Sequence, residues 1–418
     1  MPRLALLATL VAASVGVQAG ELSTDELNTR IEALSNEVSA LKSQQEKIET
    51  QQSSFEIGGR IQLDYNYFDG AYNANHDGSA AQELFARRIR TYVEGEYQDW
   101  DYKLLLEFAE DTAEIVMARI RYSGFKNGPK LQLGKLREDI SLDALTSSKH
   151  IALIERSSLA DTMSPYFRWG VSAYQYFPTT GLRYALGVYK NDAFGSDAKD
   201  ADDALDYAFS SRLTWSNAPT AGRVLHAGLW FSERQMSDDT LSAAFARGEL
   251  RETNVRLVNY AVGGDTVALD GLRQVGAEFA WQYDALLLQA EYAQRRLETT
   301  DSTSTLDGET YDGYYLQASY FLTGEQRSYS KGSAVFSQPK GVANAWELAA
   351  RISSMDASST TQGTQAQTYT LGVSYYFNPK VKAMANLVHT EVDGAGTQAL
   401  VGGEDSGDAV ALRLQYLF

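Results

Sequence analysis

At 418 residues, 44% hydrophobic and 22% charged, the chain is long enough for one large all-β unit or two ordinary domains. A formal charge of −17 argues against nucleic acid as a partner, and the absence of cysteine excludes disulfides and cysteine-ligated metals. The 25 tyrosines and 33 glycines, against only 7 prolines, suit strands that end at an interface and reverse through tight turns.

Arg3 precedes the apolar run from Leu4 to Val17, and Val17-Gln18-Ala19 offers small residues for cleavage. This is the layout of a secretory signal peptide over residues 1–19, too short for a spanning helix, so the mature chain is expected to begin at Gly20. No later stretch is apolar over the roughly 18 residues a spanning helix needs, which leaves strands as the means of crossing a bilayer. Over 20–54 the period is seven: Leu27, Leu34, Leu41 and Ile48 interleave with Ile31, Val38 and Gln45, after a capping-box start at Ser23 and Glu26. The seam is about 45 Å of helix. It reads as an oligomerising coiled coil in the periplasm, with a helix folded back on the protein as the alternative. Its Ile/Val and Leu pattern leans toward dimers in isolation, a preference a tethered barrel can override.

From Phe55 onward the apolar period falls to two. Strands are expected near 55–68, 85–97, 100–110, 114–123, 130–137, 169–177, 182–190 and 206–216. Eight more lie near 223–233, 271–283, 285–296, 312–323, 343–354, 367–377, 380–391 and 408–418. The first sets Phe55, Ile57, Gly59, Ile61, Leu63 and Tyr65 against Glu56, Arg60, Gln62 and Asp64; the fourth sets Val116, Ala118, Ile120 and Tyr122 against Arg119 and Arg121. The last alternates Val410, Leu412, Leu414, Tyr416 and Phe418 with Arg413 and Gln415. One apolar and one charged side per strand suits a barrel with lipid outside and a wet lumen. Connections alternate in length too. Short turns such as Gln98-Asp99 and Asn378-Pro379 alternate with long loops at 69–84, 138–168, 191–205, 234–270, 297–311, 355–366 and 392–407. Asn254–Val262 is kept inside a loop, since a seventeenth strand would put the termini on opposite sides; Gly324–Val342 is long yet falls on the inner side. The expected fold is therefore all-β, a sixteen-stranded antiparallel transmembrane barrel over 55–418, preceded by the coiled-coil helix. Sixteen strands leave an aqueous channel.

Convergent catalytic groups are scarce. His76, His150, His226 and His389 are widely separated, and no Gly-x-Ser-x-Gly elbow, His-Glu-x-x-His or phosphate loop occurs, so neither an enzyme nor a cofactor is expected. Transport is better supported, because arginine and lysine at a constriction favour anions. Arg60 points inward by the alternation of its strand. Arg88 and Arg90 share a face, while which of Arg87 and Arg88 meets the lumen stays open. The loop 138–168, flanked by Lys135 and Arg137, carries Lys149, Arg156 and Arg168, but also Glu138, Asp139, Asp143, Glu155 and Asp161; loop 234–270 adds Arg234, Arg247, Arg251 and Arg256. Any one of these arginines can instead be part of a salt-bridged wall.

Several stretches in shared order resemble the phosphate-selective porins of Gram-negative outer membranes, the O/P family. They are Ile57-Gly58-Gly59-Arg60-Ile61-Gln62, Asp99-Trp100, Leu133-Gly134-Lys135, Thr146-Ser147-Ser148-Lys149 with Glu155-Arg156, Leu322-Thr323-Gly324-Glu325, Ala345-Trp346-Glu347-Leu348, Asp405-Ser406-Gly407-Asp408 and the final Leu412–Phe418. The resemblance implies a homotrimer of sixteen-stranded barrels, with 138–168 folded in to narrow the pore. It implies that Arg60 and Arg156 match two arginines of a phosphate constriction and Ser147 a hydroxyl donor. The central lysine of that motif is Ala144 here, the aspartate expected on strand four is Val116, and loop 234–270 lacks a tight Arg-x-Arg-x-Arg ladder. Lys149 or Lys135 is the candidate substitute for the lysine. The combined expectation is an outer-membrane porin, seated in lipid and lipopolysaccharide, passing small anions such as phosphate through Arg60, Arg87, Arg88, Lys135, Ser147, Lys149 and Arg156. The alternatives are a weakly selective or cation-leaning general porin, given Glu138, Asp139 and Asp143, and an envelope tether reaching peptidoglycan through residues 21–52.

Overall fold

The computed structural model describes residues 29, 32–39, 54–109, 113–190, 207–260 and 266–418. They belong to two units, Met1–Ser53 and Ser54–Phe418. In the first, residues 32–39 are helical, with Leu34 and Val38 exposed. The rest of the heptad run and the expected signal peptide lie outside the described residues. None of the described helices is long and apolar enough to cross a membrane.

In the second unit, sixteen antiparallel strands close a barrel. The first nine are β1 (Ser54–Phe68), β2 (Ala81–Tyr97), β3 (Trp100–Glu107), β4 (Glu114–Tyr122), β5 (Lys130–Arg137), β6 (Phe167–Phe177), β7 (Leu182–Lys190), β8 (Tyr207–Thr220) and β9 (Arg223–Ser242). After a small pair, β10 (Ala244–Phe245) and β11 (Val258–Asn259), the wall continues with β12 (Thr266–Tyr283), β13 (Leu286–Thr299) and β14 (Thr310–Phe321). A second small pair, β15 (Ser328–Ser330) and β16 (Val335–Ser337), precedes β17 (Ala345–Asp356), β18 (Gln365–Asn378), β19 (Val381–Asp393) and β20 (Ser406–Leu417). Closure falls between β1 and β20, registered from Arg60 opposite Leu417 to Phe68 opposite Ala409. Gly59 and Phe418 exchange backbone hydrogen bonds of 3.0 and 3.2 Å, which secures the end of the seam.

The pleat sorts side chains as the alternation requires. On β20, Val410, Leu412, Leu414 and Tyr416 are exposed outward, whereas Arg413 and Gln415 are buried inward. Exposed Trp100, Phe125, Tyr283, Tyr320, Trp346, Phe377 and Tyr416 ring the short-turn end, and Tyr67, Trp169, Tyr207, Tyr314 and Tyr369 lie toward the long-loop end. Between these girdles the outer surface is apolar, as a lipid-facing band must be. Gly134 sits where β5 approaches β4 closely: at φ +132, an added Cβ would lie 1.9 Å from the Ala118 carbonyl oxygen.

Two differences from the expected ladder have physical reasons. Strands β9 and β12 pair beyond their expected ends, as far as Ser242 opposite Thr266. Their extensions carry Leu241, Val267 and Leu269 into an apolar cluster with Tyr72, Leu257 and Val258 of the long loops. As expected for 254–262, its described residues stay out of the wall: Val258 and Asn259 pair with Phe245 and Ala244 in a separate two-stranded sheet. The long inner connection after β14 folds back as the β15–β16 hairpin and enters the lumen. There Phe336 packs with Leu142, Val224, Ala280 and Leu287, while Arg183 and Arg212 of the wall donate to the carbonyls of Gly332 and Ala334, each at 2.9 Å.

Candidate functional site

The segment between β5 and β6 contains two short helices, α1 (Leu142–Leu145) and α2 (Ser158–Met163), and lies inside the barrel. Each starts on a serine whose hydroxyl accepts from the third residue on: Ser141 from the Ala144 amide and Ser157 from that of Ala160. Glu291 of β13 accepts from the free amides of Leu142 (3.1 Å) and Asp143 (2.7 Å), tying α1 to the wall. Wall side chains satisfy the loop's carbonyls in turn. Gln62 donates to Ser148, Gln415 to Lys149, Arg327 to His150, Lys382 to Ile151 and Arg295 to Thr162.

The acidic residues of this loop are consumed in the same work. Glu138 pairs with Arg234 at 2.6 Å, and Asp139 with both Arg183 and Arg212. Glu155 accepts from Arg87 (2.7 Å), Arg413 (2.9 Å) and Arg251 (3.4 Å), and Asp143 takes the amide and hydroxyl of Ser157, both at 2.9 Å. Burial alone raises a carboxyl, but at Glu155 the surrounding arginines outweigh it and hold the group well below the usual range. Asp139 is likewise lowered, its burial overcome by Arg183 and Arg212.

Among the described residues, two cavities lie beside the loop: an inner one against β1–β5, and an outer one that reaches from β2–β5 across to β9, β13 and the 244–256 segment. The outer one, about 460 Å³, is lined by Arg87, Arg168, Arg247, Arg251, Arg256 and Arg295 among others. The inner one, about 290 Å³, is lined by Arg60, Ser147, Lys149, Lys103 and several apolar side chains. Arg88, Arg90, Arg137, Arg156 and Tyr166 line both, so they mark the neck between the two spaces.

The neck differs from the wall in how its charges are met. Arg413, Arg351, Arg327, Arg212 and Arg183 all pair with carboxylates. Among the described residues no carboxylate lies within ion-pairing distance of Arg60, Arg88, Arg137 or Arg156. Arg60 donates weakly to the Ser147 hydroxyl at 3.5 Å, Arg88 to Gln62 at 2.9 Å, and Arg137 to the Ala144 carbonyl. Arg156 donates to the carbonyls of Asp143 (3.0 Å) and Thr146 (2.6 Å). The Nε atoms of Arg60, Arg88 and Arg137 are buried without a partner. A hydroxyl, a side-chain amide and backbone carbonyls aim these guanidiniums without neutralising them. Arg90 alone in the neck has an acid, Glu107, and it also donates to the Tyr166 hydroxyl at 2.6 Å. Burial, followed by Lys103 and Arg60, lowers Lys149; burial also lowers Arg156, against the pull of Asp143 and Glu155.

The candidates named from sequence fall into three groups. Arg60, Arg88, Ser147, Lys149 and Arg156 line the inner cavity together. Arg87 reaches only the outer cavity and is paired with Glu155. Lys135 is apart from both, on the face of β5 that carries exposed Leu131 and Leu133. A β-bulge explains why adjacent arginines both serve the interior: Gln62 pairs with Arg88 and Leu63 with Ala86, so Arg87 is the extra residue. A second bulge, between Leu105 and Leu106 opposite Met117 and Ile115, leaves Val116 unpaired and buried. Arg90, Arg137 and Tyr166 complete the neck but stand outside the sequence-derived set. The signals for the two arginines were the shared face of Arg88 and Arg90 and the position of Arg137 at the mouth of the loop; Tyr166 carried none. Ala144 is fully buried inside the loop, with the Arg137 guanidinium at its carbonyl.

A sixteen-stranded barrel with an apolar outer band, a loop folded into its lumen and a narrowed passage beside that loop is an outer-membrane porin. Residues 55–418 match the family model of the phosphate-selective porins O and P, and the chain belongs to that family. It is 30% identical to Porin O of Pseudomonas aeruginosa over 409 residues, covering 88% of this chain and 89% of that protein. Its fold is shared with a loop L8 deletion mutant of OmpT from Vibrio cholerae (TM-score 0.57, 10% identity, 88% of this chain and 99% of that one). It is shared too with the outer-membrane channel DcaP of Acinetobacter baumannii (TM-score 0.52, 13% identity, 88% and 97%).

Proposed function

We propose that this porin passes small hydrophilic solutes passively with a preference for anions, and that the preference is set by Arg88, Arg137 and Arg156 at the neck and by Arg60 in the inner cavity beside it. The observation that carries the reading is that, among the described residues, these four guanidiniums have no carboxylate partner, while Arg183, Arg212, Arg234 and Arg413 of the wall neutralise the loop's Glu138, Asp139 and Glu155. A positively lined constriction bounded by low-dielectric walls concentrates anions and repels cations. Guanidinium stays charged at any physiological pH, so the preference does not depend on titration. Phosphate is a candidate solute on the strength of the family's name, with Ser147 and Lys149 as further donors beside Arg60. A trimer is the proposed assembly; OmpT of Vibrio cholerae has been solved in a trimer form.

The test is the single-channel reversal potential in a KCl gradient, followed by titration of phosphate against the chloride current. An anion-selective reversal with saturable phosphate block supports both parts. An anion-selective channel that phosphate leaves unblocked keeps the neck and removes the named solute. Cation selectivity would overturn the reading. The tether reading predicts instead that deleting residues 21–52 abolishes cell-wall association with conductance intact.

A further inference from the structure

We infer that the inner cavity favours organic anions that carry an apolar body, short aliphatic or aromatic carboxylates, over inorganic anions of the same charge. The inference rests on the anion preference proposed above and names the solute class for the same passage.

The lumen face of β3 and β4 changes character along its length. Near the short-turn end that face is charged and paired: Asp101 holds Arg119 (2.6 Å) and Arg121, and Lys103 holds Glu94. At the long-loop end Glu107 stands opposite Glu114 and pairs with Arg90. Between these levels the lumen-facing pair is Leu105 opposite Met117, both partly exposed to the inner cavity. Exposing two large apolar side chains on a water-filled wall costs free energy in proportion to their area, and it breaks the pattern of the strands on either side. Leu145 of α1 and the ring of Phe167 line the same cavity, Phe167 edge-on to Tyr166 with centroids 5.1 Å apart. The guanidiniums of Arg60, Arg88 and Arg156 line it as well. A single space therefore presents unneutralised cations and apolar surface together. A bare oxyanion uses only the first. A carboxylate with a hydrocarbon body uses both. The volume of about 290 Å³ lies at the lower edge of small-molecule sites, roughly 300–1,000 Å³, which limits the body to a short chain or one ring.

The experiment uses the full-length protein in planar bilayers. Block of the single-channel chloride current is titrated at pH 6, where phosphate and the carboxylates are all largely monoanions, with acetate, butyrate and hexanoate, and with benzoate against phosphate. Apparent affinity is expected to rise about two- to fourfold per added methylene, the upper figure corresponding to full burial, and benzoate is expected to block at lower concentration than phosphate. The double variant Leu105→Asn, Met117→Gln should flatten the aliphatic series to within about twofold across its length, since it removes the apolar wall. A flat series in the unaltered protein overturns the inference, and needs no variant to do so. The KCl reversal potential of the same channels separates the two failures: a flat series with anion selectivity leaves the neck reading standing, whereas cation selectivity removes both.

Discussion

Arg60→Gln separates a functional cation from a structural one most cleanly, because so little else depends on that side chain. Its one hydrogen bond, to the Ser147 hydroxyl, is long at 3.5 Å, its Nε has no partner, and it stands directly across the β1–β2 ladder from Arg90. Like charges opposed on a sheet destabilise it by a few tenths to about 1 kcal/mol. Removing one should therefore leave barrel stability unchanged or raise it by about that amount. For a permeating anion the sign is opposite. A unit charge about 4 Å away contributes about 4 kcal/mol at an effective dielectric of 20 and about 1 kcal/mol in bulk water. The neck, part wall and part water, lies between these, so the variant should lose at least about fivefold in anion-to-cation permeability. The assays are reversal potential in a KCl gradient and urea titration of the refolded barrel. A salt-bridged wall arginine would give the reverse pattern, stability down and selectivity unchanged. That outcome would refute the reasoning.

Three further substitutions probe the surrounding framework. Arg413→Gln breaks a buried cluster in which Arg413 holds both Asp64 (2.6 Å) and Glu155 (2.9 Å); stability should fall by about 3–5 kcal/mol in urea titration, with KCl selectivity little changed. His150, within the inserted loop, is lowered to about 3 by burial, then by Lys149, Lys382 and Arg327. The folded state thus resists a proton that the unfolded chain accepts below about 6.5, and stability is lost as pH falls from there toward 3, by up to about 1.4 kcal/mol per pH unit. In His150→Gln that component should vanish, giving a shallower loss between pH 7 and 4.5 in the same titration; an equal loss would reject it. Replacing the β15–β16 hairpin by a short turn should raise open-channel conductance, because Phe336 and the carbonyls of Gly332 and Ala334 then no longer fill that side of the lumen.

The barrel was legible because its constraint is local. Every strand must put apolar side chains toward lipid and polar ones toward water, and that rule writes period two into Phe55–Tyr65 and Ala409–Phe418 alike. The loop lengths carried topology for the same reason. The phase of single residues was less legible, because a bulge shifts the pleat by one residue and leaves no mark in composition. So the inward turn of both Arg87 and Arg88, and the displaced Val116, appear only once the registers are known. The inserted hairpin after β14 escaped for a related cause: its length was visible, but its docking depends on Arg183 and Arg212 from distant strands.

The charged interior posed the hardest question, since arginines at the neck and in the wall are chemically identical in the sequence. What distinguishes them is the partner, and partners here are remote in the chain: Glu138 meets Arg234, and Glu155 meets Arg413. Once those pairs are removed from the account, Glu138, Asp139 and Glu155 are spent on wall arginines, Asp161 on Arg251 and the Asp143 carboxylate on Ser157, while Arg60, Arg88, Arg137 and Arg156 keep no carboxylate partner among the described residues. The net charge of −17 is no guide to that local field. Nor does a lysine have to stand at position 144 for the field to exist. The Arg137 guanidinium sits at the Ala144 carbonyl and lines the same neck, so a cation reaches this level of the passage from the end of β5 instead of from α1. Arg137→Gln should then lower anion preference much as Arg60→Gln does, whereas Lys135→Gln, on the face with Leu131 and Leu133, should leave it unchanged. Reversal potentials for the pair decide the matter. Equal effects of the two substitutions would mean that position along β5, and not access to the neck, governs selectivity, and the assignment of the constriction would fall.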